Sequence, residues 1–120
     1  AFCNIDQPLF GSSIGPSQTV TAPLGYVRLH GRNYNDWFRE DAGRDDRYDY
    51  LYSEEELRPW MAKIDRIRET AQQVYAITNN HFRGQAVVNA FEMEEASGIK
   101  LVSIPQQLSA VYPRLRKASA

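Results

Sequence analysis

Apolar positions along this chain follow two periods, and each predicts a different element. Residues 74–78, VYAIT, are β-prone and almost continuously apolar but too short for a helix, which predicts a strand covered on both faces. Residues 26–30, YVRLH, alternate instead, placing Tyr26, Arg28 and His30 on one face and Val27 and Leu29 on the other, with Gly31 as the stop. Burying Arg28 and His30 without partners is costly, so their face is expected to line a polar cavity. Residues 1–6 read as a further strand, ended where Pro8 lacks a ladder donor and forces Gln7 out of the helical region. Helical spacing appears at Leu57, Trp60, Met61, Ile64, Ile67 and Ala71, one apolar stripe facing a sheet. Ser53 with Glu56 forms a capping box ahead of it, and Glu54, Glu55 and Glu56 suit the positive end of the helix. Pro59 falls beyond the first turn, so a kink or a short separate turn is expected there. A second helix is predicted over 85–96, packing through Ala86, Val87, Ala90, Phe91 and Met93 and stopped by Gly98. Asn89 inside it is expected to bond locally or to face solvent.

The connections are long. Residues 9–25 are rich in Gly, Ser, Pro and Thr and predict a loop, and residues 33–52 mix charges of both signs around Trp37, Phe38, Tyr48, Tyr50 and Tyr52. Those aromatics are expected to pin the loop down. After Gly98 an extended run over 99–104 ends at Pro105, helical turns follow within 106–112, and the tail from Arg114 is expected to fray. Strand, loop, strand, loop, helix, strand, helix is the grammar of parallel βα units, hence an α/β fold. Three strands with so few helices cannot close a barrel, and the chain begins directly in a strand. Residues 1–120 therefore read as part of one larger domain whose N-terminal portion is missing, with no separate second domain. The exposed strand edge predicts poor stability for this piece alone.

Composition narrows the classes. Fourteen Lys and Arg against 15 Asp and Glu give a formal charge of −1, which excludes a binder of nucleic acid or acidic membrane driven by bulk charge and leaves a local basic pocket open. The single cysteine, Cys3, excludes an intrachain disulfide framework and a multi-Cys zinc site, and fits a reducing, cytoplasmic setting. No apolar run approaches the roughly 20 residues that cross a bilayer.

Chemistry-capable residues collect at strand exits. Asp6 ends the first strand, and Asn79, Asn80, His81, Arg83 and Gly84 crowd between the third strand and the helix that follows. Unpaired N–H groups and partial positive charge at a helix start suit an anion. Asp6, His30 and His81 have no spacing diagnostic of a metal, so none is assigned.

Four phrases then carry a resemblance: FCNIDQP at 2–8, YVRLHGRN at 26–33, YDYLYSEEEL at 48–57 and ITNNHFRGQAVVNA at 77–90. Together, in this order, they resemble the YecE-like family, the domain of unknown function seventy-two. The resemblance implies a TIM-like (β/α)8 barrel of roughly 250 residues, of which this chain is the C-terminal fragment, strands six to eight with their helices. Such barrels are similar in outline to the xylose isomerase and abasic-site endonuclease group, and the family has no settled activity or cofactor. Barrel sites lie at the C-terminal strand ends, with phosphate often held after strands seven and eight. On that basis Asp6, His30 and His81 are the candidate catalytic residues, Asp6 as base and either His as proton carrier near neutral pH. Arg28, Arg32, Asn79, Asn80, Arg83 and Gly84 are the candidate substrate-binding residues, the arginines gripping phosphate or carboxylate. The expectation is a hydrolase or isomerase acting on a phosphorylated or other anionic substrate; the alternative is a non-catalytic barrel binding an anion or a partner. Nucleic acid rests on fold analogy alone.

Overall fold

Strands β1 (Cys3–Asp6), β2 (Leu24–Leu29) and β3 (Gln73–Thr78) lie side by side in that order, all parallel, in a computed structural model that describes residues 1–11, 13–37, 39–41, 43–98 and 103–117. Register sets Cys3 beside Tyr26 and Tyr26 beside Tyr75, and one step on it sets Ile5, Arg28 and Ile77 in a row. Side chains alternate across a strand, so Asn4, Asp6, Val27 and Leu29 share one face while Cys3, Ile5, Tyr26, Arg28, Tyr75 and Ile77 share the other.

Helices cover only the first of these faces. Helix α1 (Arg44–Arg47) is a single turn in the second connection, its Gly43 N–H held by the Asp46 carboxylate at 2.9 Å. Helix α2 (Glu54–Thr70) then lays Leu57, Trp60, Ile64 and Ile67 over Val27 and Leu29, and α3 (Gln85–Ala96) adds Met93. The capping box forms as expected, with Ser53 Oγ accepting from Glu56 N–H at 3.2 Å and the Glu56 carboxylate accepting from Ser53 N–H at 3.0 Å. Helix α2 runs unbroken through Pro59, without the separate turn expected there. Pro59 carries no N–H and lies in an exposed position, so the missing bond falls on the solvent side.

Two expectations about burial are corrected. β3 is an edge strand, and Tyr75 and Ile77 on its uncovered face are 52% and 39% exposed. Its continuous apolar run includes a face that no element among the described residues covers. In α3 the inward residues are Ala86, Val88, Asn89 and Met93, whereas Val87 is exposed, so the packing stripe is rotated by about one position from the expected one.

The helix-poor first connection is tied down by Asn4. Its amide donates to the Thr19 and Tyr26 carbonyls, and its oxygen accepts from Ser17 Oγ and Thr19 N–H, each at 2.7 Å. Helix α4 (Gln106–Val111) and a 3-10 turn (Pro113–Lys117) close the described chain. Arg114 in that turn is anchored rather than frayed, bonding Glu92 at 2.8 and 2.9 Å and the Tyr52 carbonyl. Most of the extended run expected over 99–104, Phe38 and positions 118–120 lie outside the described residues. The result is a slab of 41 × 40 × 20 Å, one face clothed in helices and the other open.

Gly25 marks the tightest helix-to-sheet approach, since a Cβ there would lie 2.3 Å from Ile67 Cγ2. Gly25→Ala is expected to cost about 1–3 kcal/mol through overpacking, and adding Ile67→Leu, whose Cβ carries no second branch, should recover part of that loss. Urea midpoints of the single and double variants check this; strictly additive losses would mean that the contact is not what limits the site.

Candidate functional site

The ladder continues one step past the strands, because His30 N–H donates to the Asp6 carbonyl at 2.9 Å and Asn79 N–H to the Leu29 carbonyl at 2.7 Å. His30 and Asn79 therefore stand one step beyond Asp6 and Leu29 at the C-terminal end of the sheet, and strand parity sends the side chains in two directions.

Asp6 points to the covered side and is 1% exposed. Arg32 grips it with both prongs at 2.9 Å, the Tyr52 hydroxyl donates to it at 2.6 Å, and the Trp60 indole N–H donates at 2.9 Å. Four donors fill the four lone-pair positions of a carboxylate. The sequence reading made Asp6 a base and Arg32 an anion grip; the structure commits each to the other. Arg32 also reaches Glu56 at 3.3 Å, and the Tyr50 hydroxyl donates to the same Glu56 oxygen. Hydrogen bonding to Asp6 raises the Arg32 pKa, and burial beside Asp6 holds the Tyr52 phenol far above its usual range, so neither group titrates near neutrality. Burial, with the Glu56 carboxylate beside it, does the same to Tyr50. Burial pushes Glu56 up, but the Ser53 N–H, the Tyr50 hydroxyl and the Arg32 charge together outweigh it and leave the carboxyl below its ordinary range.

Gly31 completes this network. Its N–H donates to the Tyr52 hydroxyl at 2.8 Å, its φ is +94°, and a Cβ there would sit 2.8 Å from Tyr50 Cβ. Asn80 also turns inward, fully buried, with its amide on the Tyr50 carbonyl at 2.7 Å and on Asn89 Oδ1 at 2.8 Å. Asn89 in turn accepts from Tyr52 N–H and donates to the Tyr52 carbonyl, both at 3.1 Å. It is a buried bridge between α3 and the second connection; of the two expectations, the local bond is present, to Glu92 at 3.0 Å, and the solvent-facing position is not.

On the open side the arrangement differs. Arg28 Nε donates to Asn79 Oδ1 at 3.0 Å, and among the described residues its two Nη atoms have no hydrogen-bond partner. His30 lies against Trp37 and Tyr48, with ring centroids 6.1 and 6.0 Å away, and Tyr48 reaches on to His81 at 5.4 Å. Burial, with Arg28 nearby, lowers the His30 pKa against a weaker upward pull from Asp6. His81 Nδ1 is 3.0 Å from the Asn79 carbonyl; a carbonyl only accepts, so Nδ1 carries a proton and donates.

Arg83 stands apart, exposed, stacked over the Phe82 ring at 5.0 Å with φ +54°, and its carbonyl accepts from the Tyr112 hydroxyl. Gly84, at φ +76°, caps α3 without a side-chain bond. The nine predicted site residues thus lie at one end of the sheet but form three groups: a neutralised interior of Asp6, Arg32 and Asn80, an open row of Arg28, Asn79, His30 and His81, and the α3 entrance of Arg83 and Gly84. A cavity of about 520 Å³ between α2 and α3, floored by Val74, Ala76 and Thr78, lies on the helix side and takes no part in the open row. Among the described residues no three His, Cys, Asp or Glu side chains gather as a metal site, and no helix is long and apolar enough to cross a membrane.

Sequence reasoning missed Tyr52, Trp60 and Glu56 as partners of the Asp6 and Arg32 pair. A signal existed for Trp60, since a buried indole needs an acceptor. None existed for Arg114.

With this geometry in view, the family model described as "Protein of unknown function DUF72" matches residues 1–112. The chain belongs to the DUF72 family. It is 30% identical over 109 residues to the UPF0759 protein YunF of Bacillus subtilis (strain 168), a match covering 86% of this chain and 39% of that protein. The crystal structure of a DUF72 family protein from Thermotoga maritima MSB8 superposes with a TM-score of 0.75 at 32% identity, over 81% of this chain and 36% of that one. A DUF72 family protein from Enterococcus faecalis V583 gives 0.73 at 28% identity, over 87% and 40%. The chain therefore spans well under half the length of these relatives, with which it shares an α/β fold built on a parallel sheet.

The Asp6 network predicts two stability effects in the intact protein. Asp6→Asn should cost about 2–4 kcal/mol, below the full penalty for breaking an enclosed pair because the Arg32 side chain is 30% exposed. Trp60→Phe, which removes one donor, should cost about 1 kcal/mol from that bond. Denaturant unfolding checks both, and equal losses would contradict the ranking. Glu56 adds stability above its unfolded-state pKa that disappears as pH falls through its lower folded value. Wild type should accordingly lose more stability than Glu56→Gln on acidification below about pH 4.3, as thermal melts across that range would read.

Proposed function

We propose that this chain forms strands six to eight of a (β/α)8 barrel, and that its open sheet face lines the lumen of a site for a phosphorylated or otherwise anionic small molecule. The observation that carries the reading is Arg28. Its face, made of Cys3, Ile5, Tyr26, Arg28, Tyr75 and Ile77, holds no carboxylate, and its one partner is the neutral amide of Asn79. Closing a barrel over that face would bury a cation for which none of the described residues supplies a counter-charge, and a bound anion would supply one. Arg28 lies one position before the end of β2, close to the rim where barrel enzymes keep their sites. Arg32, by contrast, is already neutralised by Asp6 and Glu56.

The enzyme is of the hydrolase or isomerase kind, with His81, set by its Nδ1 on the Asn79 carbonyl at 3.0 Å, as the group that moves the proton. A second reading, a barrel that binds an anion without turning it over, draws on the saturation of Asp6, whose four donors leave no lone pair for a proton or a metal. Near-neutral net charge counts against nucleic acid as the ligand, and the single cysteine suits a cytoplasmic setting.

Calorimetry of the intact protein with inorganic phosphate and with sulfate tests the site. Wild type should bind, and Arg28→Gln should weaken binding at least tenfold, as loss of a charge-assisted bond worth about 1.5–3 kcal/mol requires. Equal affinity in the two proteins would remove the proposal's support. Turnover on a panel of phosphoesters and sugar phosphates, lost in His81→Asn, separates the enzyme from the binding barrel.

A further inference from the structure

His30 was read from sequence as a proton carrier, and its surroundings fit another task. Among the described residues its Nδ1 is enclosed and has no hydrogen-bond partner, while Nε2 has none either and is not among the enclosed atoms. The walls are the rings of Trp37 and Tyr48, which offer no acceptor to an Nδ1–H at centroid distances of 6.1 and 6.0 Å. A proton on Nδ1 would be an orphan donor in a closed space, and on an imidazolium it would be an orphan carrying charge. A proton on Nε2 leaves only a bare lone pair inside, the lesser loss, and keeps the donor where a ligand can reach it.

We propose that His30 serves the anion site as a neutral imidazole fixed in the Nε2–H tautomer, a second hydrogen-bond donor beside Arg28 rather than a group that gains and loses a proton. The inference rests on the anion-binding reading of Arg28. The groups around His30 agree with it: burial and then Arg28 on β2 disfavour the imidazolium, Asp6 on β1 opposes them but is occupied by Arg32, and Tyr48 presents its ring. Histidine lowered in this way binds fewer protons folded than unfolded, so acidification through and below about 6.5 destabilises the fold without making His30 a better anion ligand. The division of roles follows from position: His30 donates with Arg28, and His81 lies on the far side of Tyr48, its Nδ1 on the Asn79 carbonyl.

Sulfate is the probe, because it keeps its charge across the range in which His30 would titrate. Nitrogen-15 spectra of the imidazoles in intact wild-type protein should show His30 neutral with its proton on Nε2 between pH 6 and 7.5, and sulfate affinity should change less than about threefold over that interval; a histidine titrating at its ordinary value would change it more steeply. His30→Gln, whose amide nitrogen can occupy the place of Nε2, should keep sulfate affinity within about threefold, whereas His30→Phe should lose about tenfold. A proton on Nδ1, an imidazolium at pH 6.5 with sulfate bound, or sulfate affinity in His30→Phe equal to wild type would overturn the assignment of His30 while leaving the Arg28 site intact. No sulfate binding by wild type would overturn the Arg28 site and this inference together. The tautomer is read on wild type, so a variant that fails to fold does not decide the matter.

Discussion

A single buried carboxylate holds the strand ends in place. Asp6 receives donors from Arg32, Tyr52 and Trp60, which come respectively from the start of the second connection, its end, and the helix beyond it. The connection between Arg32 and Tyr52 carries little regular structure, and ordering it costs backbone entropy at every residue. Fastening both of its ends to one point shortens the effective loop, and Tyr52 serves twice because its hydroxyl also accepts from Gly31. An isolated carboxylate in this position would be strongly disfavoured; satisfied by four donors, it becomes the fixed point against which His30 and Arg28 are set.

Parity along the strands turns that fixed point into two unlike surfaces. Asp6 and Leu29 are partners in register on the helix side, and Ile5 and Arg28 are partners on the open side. A slip of one residue would exchange the two sets, burying Arg28 under α2 and exposing Leu29, so the apolar stripe of α2 and the polar row at the rim specify the same register. The second polar cluster, Asn80 with Asn89 and Tyr52, joined by Arg114 through the Tyr52 carbonyl, does for α3 what Trp60 does for α2. Tyr52 belongs to both clusters, its hydroxyl on Asp6 and its backbone on Asn89, which makes the short segment before α2 the joint of the structure.

What the sequence made legible was local. Strand alternation at Tyr26 to Leu29, the Ser53 and Glu56 box, and the bounds of α3 each depend on residues within a turn or two of one another, and each appears as expected. The gathering of the candidate residues at one sheet end followed from parallel βα order. What stayed hidden was non-local. Asp6 meets Trp60 and Tyr52 across separations of 54 and 46 residues, and no spacing rule pairs them. Asn89 read as a surface or self-bonded residue because its partners, the Tyr52 backbone groups, are 37 positions away. The edge position of β3 was hidden for a different reason: a continuous apolar run says that both faces avoid water, not which polypeptide covers them.

Three cations stand as alternatives for the proposed anion site. An incoming phosphate at Arg32 would have to displace a bidentate carboxylate that is enclosed with it, giving up charge-assisted bonds already formed and leaving Asp6 short of donors. At Arg83 it would meet an exposed guanidinium stacked on Phe82, where solvent and salt screen most of the attraction. Arg28 differs from both: it is half-buried, oriented by Asn79 through Nε alone, and faces no carboxylate on its own side of the sheet. Orientation without neutralisation is the condition under which a cation binds a ligand rather than its own protein, and among the three only Arg28 meets it.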